Sequence, residues 1–501
     1  MNYRSTRNKN LSVSPSYAIA NGISTEGGLF VPENIPYIED KLDAWKNLDY
    51  IGRAKEILKL YLTDFTDDEI SYCVENAYRK EKFEGAEPVK LSKLNNGEKT
   101  IFSMELWHGP TCAFKDMALQ LLPYLLSVAV KKNYNNKKVV ILVATSGDTG
   151  KAALEGFKDV ENTKICVFYP NNGVSPMQLR QMVTQEGSNV NVCAVEGNFD
   201  DCQTAVKKIF TDKNLSTKLA DSGMMFSSAN SINWGRLLPQ IVYYVSSYLD
   251  LVNSGELSSI GDKINVVVPT GNFGNILAAY YAKCMGVPIN KLICASNANN
   301  VLTDFIRTGL YNKNREFFTT CSPSMDILVS SNLERLLYHL SGEDDEMINN
   351  LMNGLATNGS YEVNKSVKNA ISELFDCGCC NDEETLKCIS YYYSDINYLL
   401  DTHTAVAFKV YDEYADRTGD YTPAVIASAA SPYKFSKSVL SALGKDSSND
   451  EFATVELLSS TTSTPIPASL FSLKDKKVRF TDVIEKDLIM EYVVSLLGLS
   501  C

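Results

Sequence analysis

The sequence predicts an α/β protein in which parallel sheets are covered by helices. Short apolar runs recur at 139–144 (VVILVA), 164–169 (KICVFY), 190–195, 264–268 (INVVV) and 292–295. Runs of this kind suit strands buried on both faces. Glycine-bearing turns and helical stretches separate them, and strand–turn–helix repetition is the pattern of a helix-covered parallel sheet.

Residues 1–87 form an N-terminal, mainly helical domain in this reading, because RAKEILKLYL and DDEISYCVENAYRKEKF carry apolar residues at helical spacing. A large and a small αβ part fill 88–309. Within it, Ser175-Pro176-Met177-Gln178 is a helix start, with Ser175 as cap, Pro176 in the first turn and Gln178 completing a capping box. Helices are expected over 200–210 and 233–251. Residues 310–400 are polar and helical in pattern and read as an inserted helical region. The αβ texture returns at 424–430 (AVIASAA), so 401–501 completes the core.

The formal charge is 48 − 60 = −12. An acidic chain repels phosphate backbones, so nucleic acid is not an expected partner. A phosphorylated ligand would need a local site of backbone N–H groups and placed cations. The N-terminus is basic but lacks an apolar core segment, and no apolar run is long enough to span a bilayer, so a cytoplasmic protein without a membrane partner is expected. The 13 cysteines read as reduced, mostly buried thiols. Cys377, Cys379, Cys380 and Cys388 lie close together, but without paired ligand spacing or a nearby histidine they read as a turn between helices, and no metal is expected.

Four segments carry chemistry. Lys115, in Trp107-His108-Gly109-Pro110-Thr111-Cys112-Ala113-Phe114-Lys115-Asp116, adjoins an aromatic at the opening of an apolar helical stretch. Burial there would favour a neutral, nucleophilic amine, although a lysine taken alone is more often a solvated charge. Ser146, Gly147, Asp148 and Thr149 follow a strand directly, so small residues present N–H groups at a helix start, an anion cradle. The same loop imitates a phosphate-binding GxxxxGK[ST] motif but has Thr145 for the first glycine and Ala152 for the metal-binding hydroxyl. Gly271, Asn272, Phe273, Gly274 and Asn275 make a second such loop. Ser231, Asn233 and Arg236 lie at the start of a long helix, where arginine can bind phosphate or carboxylate through two N–H groups. His108 and His403 sit in tight contexts and read as buried imidazoles more readily than as catalysts.

In order and spacing, HGPTCAFKD around Lys115, ATSGDTG at 144–150, SANSIN at 228–233, GNFG at 271–274, THTAVA at 402–407 and SPYKF at 431–435 resemble the threonine synthase family. The resemblance covers nearly the whole chain and is weakest over 310–400. It implies the architecture of fold-type II pyridoxal-phosphate enzymes and a pyridoxal 5'-phosphate cofactor bound covalently through Lys115. It further implies that the cofactor phosphate sits on Gly271, Asn272, Phe273, Gly274 and Asn275, and that Ser146, Gly147, Asp148 and Thr149 lie by the substrate carboxylate and the ring. Ser231, Asn233 and Arg236 become candidates for the substrate phosphate. The family pattern has a threonine shortly before the proline of the last motif, bonded to the pyridine nitrogen; Ala429 stands there, leaving Ser428 or Ser431 for that role. The implied reaction converts O-phospho-L-homoserine and water to L-threonine and phosphate, in a monomer or homodimer. A serine/threonine dehydratase is the alternative within the same fold type.

Overall fold

A computed structural model describes residues 1–83, 87–135, 137–145 and 147–499. Two sheets carry the architecture. The larger has six strands in the spatial order Phe375–Cys379, Ile289–Ser296, Ile264–Pro269, Ala424–Ser428, Lys99–Glu105 and Lys90–Asn96. All run parallel except the last, which is antiparallel to its neighbour. The smaller has five parallel strands in the order Val483–Glu485, Val190–Glu196, Thr163–Pro170, Lys138–Ala144 and Met224–Ser227.

Every residue of Ile264–Pro269 and all but the ends of Lys138–Ala144 are buried, as their largely apolar composition requires; the one buried polar side chain, Asn265, donates to Asp420 at 2.9 Å. Helices follow where the sequence places them: Pro176–Val183 with its Ser175–Gln178 capping box, Phe199–Thr211 and Trp234–Asn253. The last of these is buried along nearly its whole length. No helix among the described residues is long and apolar enough to cross a membrane.

The parallel strands deliver four loops from their carboxyl ends, where such sheets bind ligands. These follow Ala144, Pro269, Glu105 and Ser428. The loop after Glu105 doubles back onto the extension of Ala424–Ser428. Leu106 N–H donates to Ser428 O at 3.2 Å, Phe114 N–H donates to Ala429 O at 2.8 Å, and Ala113 bridges Ala430. That pairing ties the backbone of Lys115 to the rigid centre of the larger sheet.

Three expectations change. The N-terminal part holds an antiparallel three-stranded sheet, Tyr3–Ser5, Asn8–Val13 and Phe30–Pro32, besides its helices. The region 310–400 is not an all-helical insertion: Phe375–Cys379 is a strand of the larger sheet, paired with Ile289–Ser296. Cys377 and Cys379 therefore sit on a strand rather than on a turn between helices. Its alternation of small and polar residues is too short a signal to show in the sequence. The C-terminal part also reaches both sheets, since Val483–Glu485 pairs with Val190–Glu196.

Arg335, from the helix Leu333–Leu340, locks this region to the rest. It is fully buried and donates to Phe30 O at 2.9 Å, Ile232 O at 2.6 Å and Asn332 Oδ1 at 2.6 Å. Removing it leaves two buried acceptors and one half-buried acceptor unpaired, each costing about 1 kcal/mol or more. Arg335→Met is therefore expected to lower the unfolding free energy by about 2–4 kcal/mol, read as a reduced denaturant midpoint at unchanged m-value.

Candidate active site

Lys115 lies at the head of the short helix Asp116–Leu119, with 11% of its side chain exposed. Its amine donates to Ser324 Oγ at 3.4 Å, lies 3.9 Å from Asp148 Oδ2 and stands over the Phe114 ring. Burial pushes the amine down to about 8; Asp148 opposes that shift, and the cations Lys434 and Arg236 add to it. An amine so placed loses its proton far more readily than an ordinary lysine, and the neutral form can act as nucleophile and base. The neighbouring Asp116 has a structural part: its carboxylate accepts from Thr111 N–H at 2.8 Å and Thr111 Oγ at 2.7 Å, fixing the turn before Lys115.

Asp148 opens the helix Asp148–Phe157 and points inward. Its Oδ1 lies 2.5 Å from Lys434 Nζ and accepts from Gln178 Nε2 at 2.9 Å. Burial alone would raise this carboxyl, but Lys434 and Lys115 beside it hold it well below the usual carboxylate range. Gly147 makes the approach possible: its φ is +135°, and a Cβ there would sit 2.3 Å from the Gln178 carboxamide. Thr145 Oγ accepts from Gly147 N–H at 3.0 Å and Gly150 N–H at 2.9 Å. The amides of Asp148 and Thr149 remain at the helix N-terminus, where no intrahelical acceptor exists. Ser146 lies outside the described residues. Lys151 turns away to Glu155 and Gln185, so it does not serve the loop as a phosphate-binding lysine would.

The second glycine loop leads into the helix Gly274–Cys284. Phe273 adopts φ +62°, which turns its buried ring onto Phe375 and leaves its backbone at the helix start. The Asn275 carboxamide is oriented by Tyr243 and Tyr244, whose hydroxyls both donate to its Oδ1. Gly271 faces the 310–400 region: a Cβ there would lie 2.8 Å from Ser324 O. That region supplies the loop's other supports. Ser330 Oγ donates to Gly271 O at 2.8 Å, Asn332 Nδ2 donates to Asn272 O at 2.9 Å, and Ser331 Oγ donates to Asn272 Oδ1 at 3.3 Å. Ser331 Oγ also meets Ser231 Oγ at 3.4 Å. The segment from Ser324 to Arg335 thus links Lys115, the glycine loop and the loop of Ser231.

Arg236 is buried, and the one hydrogen bond of its guanidinium among the described residues runs from Nη1 to Ala229 O at 2.5 Å; its Nε has no partner. Burial lowers its guanidinium to about 10, which leaves it a cation. No carboxylate among the described residues is paired with it. Asn233 is a correction: Oδ1 accepts from Gly235 N–H at 2.9 Å and Nδ2 donates to Ile19 O and Ser228 O, both at 3.0 Å. Both of its donors are spent on capping and loop closure, and none is left for a ligand.

Ser428 Oγ accepts from Trp107 Nε1 at 3.0 Å and lies 3.4 Å from Thr404 Oγ. Ser431 caps the turn Pro432–Phe435 and is fully buried. His108 donates through Nε2 to Glu105 at 2.7 Å and stacks on Trp107. His403 reaches the site indirectly: Nδ1 is 3.0 Å from Asp401 Oδ1, and Nε2 accepts from Ser324 N–H at 3.1 Å. Through that contact the imidazole anchors the Ser324 turn.

Lys434 and Ser324 were not singled out by the sequence. Lys434 carried a readable signal, the same lysine beside an aromatic in a short-residue motif that marks Lys115. Ser324 carried none, because its loop has neither strand nor helix pattern. The residues present fit pyridoxal phosphate. Lys115 offers a sheltered amine, two helix N-termini offer N–H groups, and the buried Arg236 Nε has no partner among the described residues. In cofactor-free protein, reductive alkylation of Lys115 by a small aldehyde is expected to reach half its maximal rate near pH 8, well below the 10.5 of an ordinary lysine; a midpoint at the ordinary value would contradict the burial.

Three family models match the chain: "Threonine synthase N terminus" over 2–78, "Pyridoxal-phosphate dependent enzyme" over 81–428 and "Threonine synthase, C-terminal" over 404–493. The human protein "Threonine synthase-like 1" is 42% identical over 85% of this chain, and the chain spans only 58% of that relative's length. The threonine synthase of Saccharomyces cerevisiae is 36% identical over 88% of this chain and 89% of its own. The crystal structure of PLP-bound threonine synthase from Brucella melitensis superposes with a TM-score of 0.86 at 35% identity, covering 98% of each chain. With a sheltered lysine, two glycine loops that open helices and the surrounding sheets arranged as described, the chain belongs to the threonine synthase family of pyridoxal-phosphate-dependent enzymes, and pyridoxal phosphate is its cofactor.

Proposed function

We propose that the protein converts O-phospho-L-homoserine and water to L-threonine and phosphate, as a threonine-forming enzyme of the cytoplasm acting as a monomer or homodimer. The observation that carries this reading is Arg236: a buried guanidinium with a free Nε and no carboxylate partner among the described residues. A cation held this way is incomplete until an anion arrives. A substrate with an amino-acid end and a phosphoryl end matches an amine flanked by two anion-binding places. A dehydratase substrate has no phosphoryl group to occupy the second. Buried thiols such as Cys73, Cys166 and Cys294 suit a reducing compartment.

When bound, pyridoxal phosphate supplies an electron sink for loss of a proton from the substrate Cα. The protein supplies the rest. The amides at the start of Gly274–Cys284 hold the cofactor phosphate. The amides of Asp148 and Thr149 bind the substrate carboxylate. Arg236, with Ser231 beside it, binds the substrate phosphoryl group and neutralises its charge as it leaves Cγ. Lys115 moves protons at Cα and Cβ, and its low proton affinity lets it accept and return them. Ser428, beside Thr404, is the hydroxyl we assign to the pyridine nitrogen in place of the residue at Ala429.

Coupled measurement of inorganic phosphate and threonine tests the assignment. Equal release of both from O-phospho-L-homoserine is expected; ammonia and an oxo acid from serine or threonine would point to the dehydratase instead. Lys115→Ala is expected to abolish turnover. Arg236→Met is expected to raise KM for the phosphorylated substrate about 100-fold while leaving the absorbance of the bound cofactor unchanged.

A further inference from the structure

Lys434 is a lysine with no exposed side-chain surface. Its amine lies 2.5 Å from Asp148 Oδ1 and donates to Thr111 O at 3.0 Å. The other oxygen of the same carboxylate, Oδ2, lies 3.9 Å from the Lys115 amine. One buried carboxylate therefore stands between two buried amines, and the nearer amine holds the ion pair.

We propose that Lys434 is a positioning residue for Lys115: by holding Asp148 it keeps that carboxylate from capturing the Lys115 amine. The inference rests on Lys115 being the amine that bonds the cofactor. A buried carboxylate without a partner is strongly disfavoured, so with Lys434 gone Asp148 would turn to the cation that remains. Lys115 would then stay protonated. A protonated amine has no lone pair with which to bond an aldehyde carbon, a step that expels the aldehyde oxygen as water, and none with which to take a proton from Cα.

The other groups around Lys115 cannot replace Lys434. Arg236 and Asp116 act on the amine with opposite signs and less strongly than the Asp148 and Lys434 charges. Ser324 is neutral, and the Phe114 ring carries no charge. Gln178 holds Asp148 Oδ1 at 2.9 Å, so the carboxylate has a second anchor if Lys434 is removed, but one without charge. The contribution of Lys434 is thus its charge more than its grip.

The test uses the holoenzyme. Wild type, Lys434→Met and the double variant Lys434→Met/Asp148→Asn are reduced with borohydride across a pH series. The fraction of the Lys115 peptide carrying cofactor is then measured by mass spectrometry. In Lys434→Met the midpoint of trapping is expected to move up by about one to three pH units, the shift an unbalanced opposite charge at this range produces. The double variant, again balanced, is expected to return to the wild-type midpoint. A folded Lys434→Met that titrates with wild type overturns the inference, as does a folded double variant that remains shifted. If Lys434→Met fails to fold, Asp148→Asn alone decides: a midpoint below wild type supports the inference and an unchanged one overturns it. Wild type with no cofactor on Lys115 would instead sink the underlying reading of the site.

Discussion

The structure depends on a buried ion cluster, Lys115, Asp148 and Lys434, placed where two sheets meet. Each member comes from a different part of the chain: the loop after Lys99–Glu105, the helix start after Lys138–Ala144, and the turn after Ala424–Ser428. The pair of Asp148 and Lys434 ties the smaller sheet to the larger across the cleft. Burying three charges is costly unless each is paired and hydrogen-bonded. The surroundings meet that demand with Gln178 and Thr111, while the Lys115 amine is left with the weakest partner of the three. That imbalance, with burial, favours the neutral amine.

Around this cluster the chain arranges donors for anions without changing its acidic character. The net charge of −12 is answered locally by helix N-termini and by one guanidinium, each shielded from bulk water. The supports come from the region 310–400. Asp326 accepts from Asn297 at 2.7 Å, from Asn299 at 3.0 Å and from Thr320 N–H at 3.0 Å, which knits this loop onto the end of Ile289–Ser296. His403 pins it from the other side. The least patterned stretch of the sequence therefore holds the most sensitive turn of the site.

The legible parts of the fold are those where one physical signal dominates. Ile264–Pro269 and Lys138–Ala144 are buried on both faces and show as apolar runs; Pro176–Val183 shows through its capping box. Met224–Ser227, Phe375–Cys379 and Val483–Glu485 were missed because they are short or carry polar and small residues on half-covered sheet edges. In the site, Lys115, Asp148 and Arg236 could be singled out because each lies at a helix start. Asn233 was misread since a capping asparagine and a ligand-binding one look alike in sequence. Lys434 has the same local signal as Lys115, a lysine beside an aromatic, but its contact with Asp148 is one that no local spacing encodes.

The most direct test of the central claim, that the sheltered Lys115 amine faces a phosphate-accepting site, is an absorbance spectrum of the purified holoenzyme before and after O-phospho-L-homoserine is added. The account predicts a visible cofactor band that changes on addition of this substrate in wild type and is missing from a Lys115→Ala protein. A wild-type band that ignores the phosphorylated substrate, or that persists unchanged without Lys115, would contradict it.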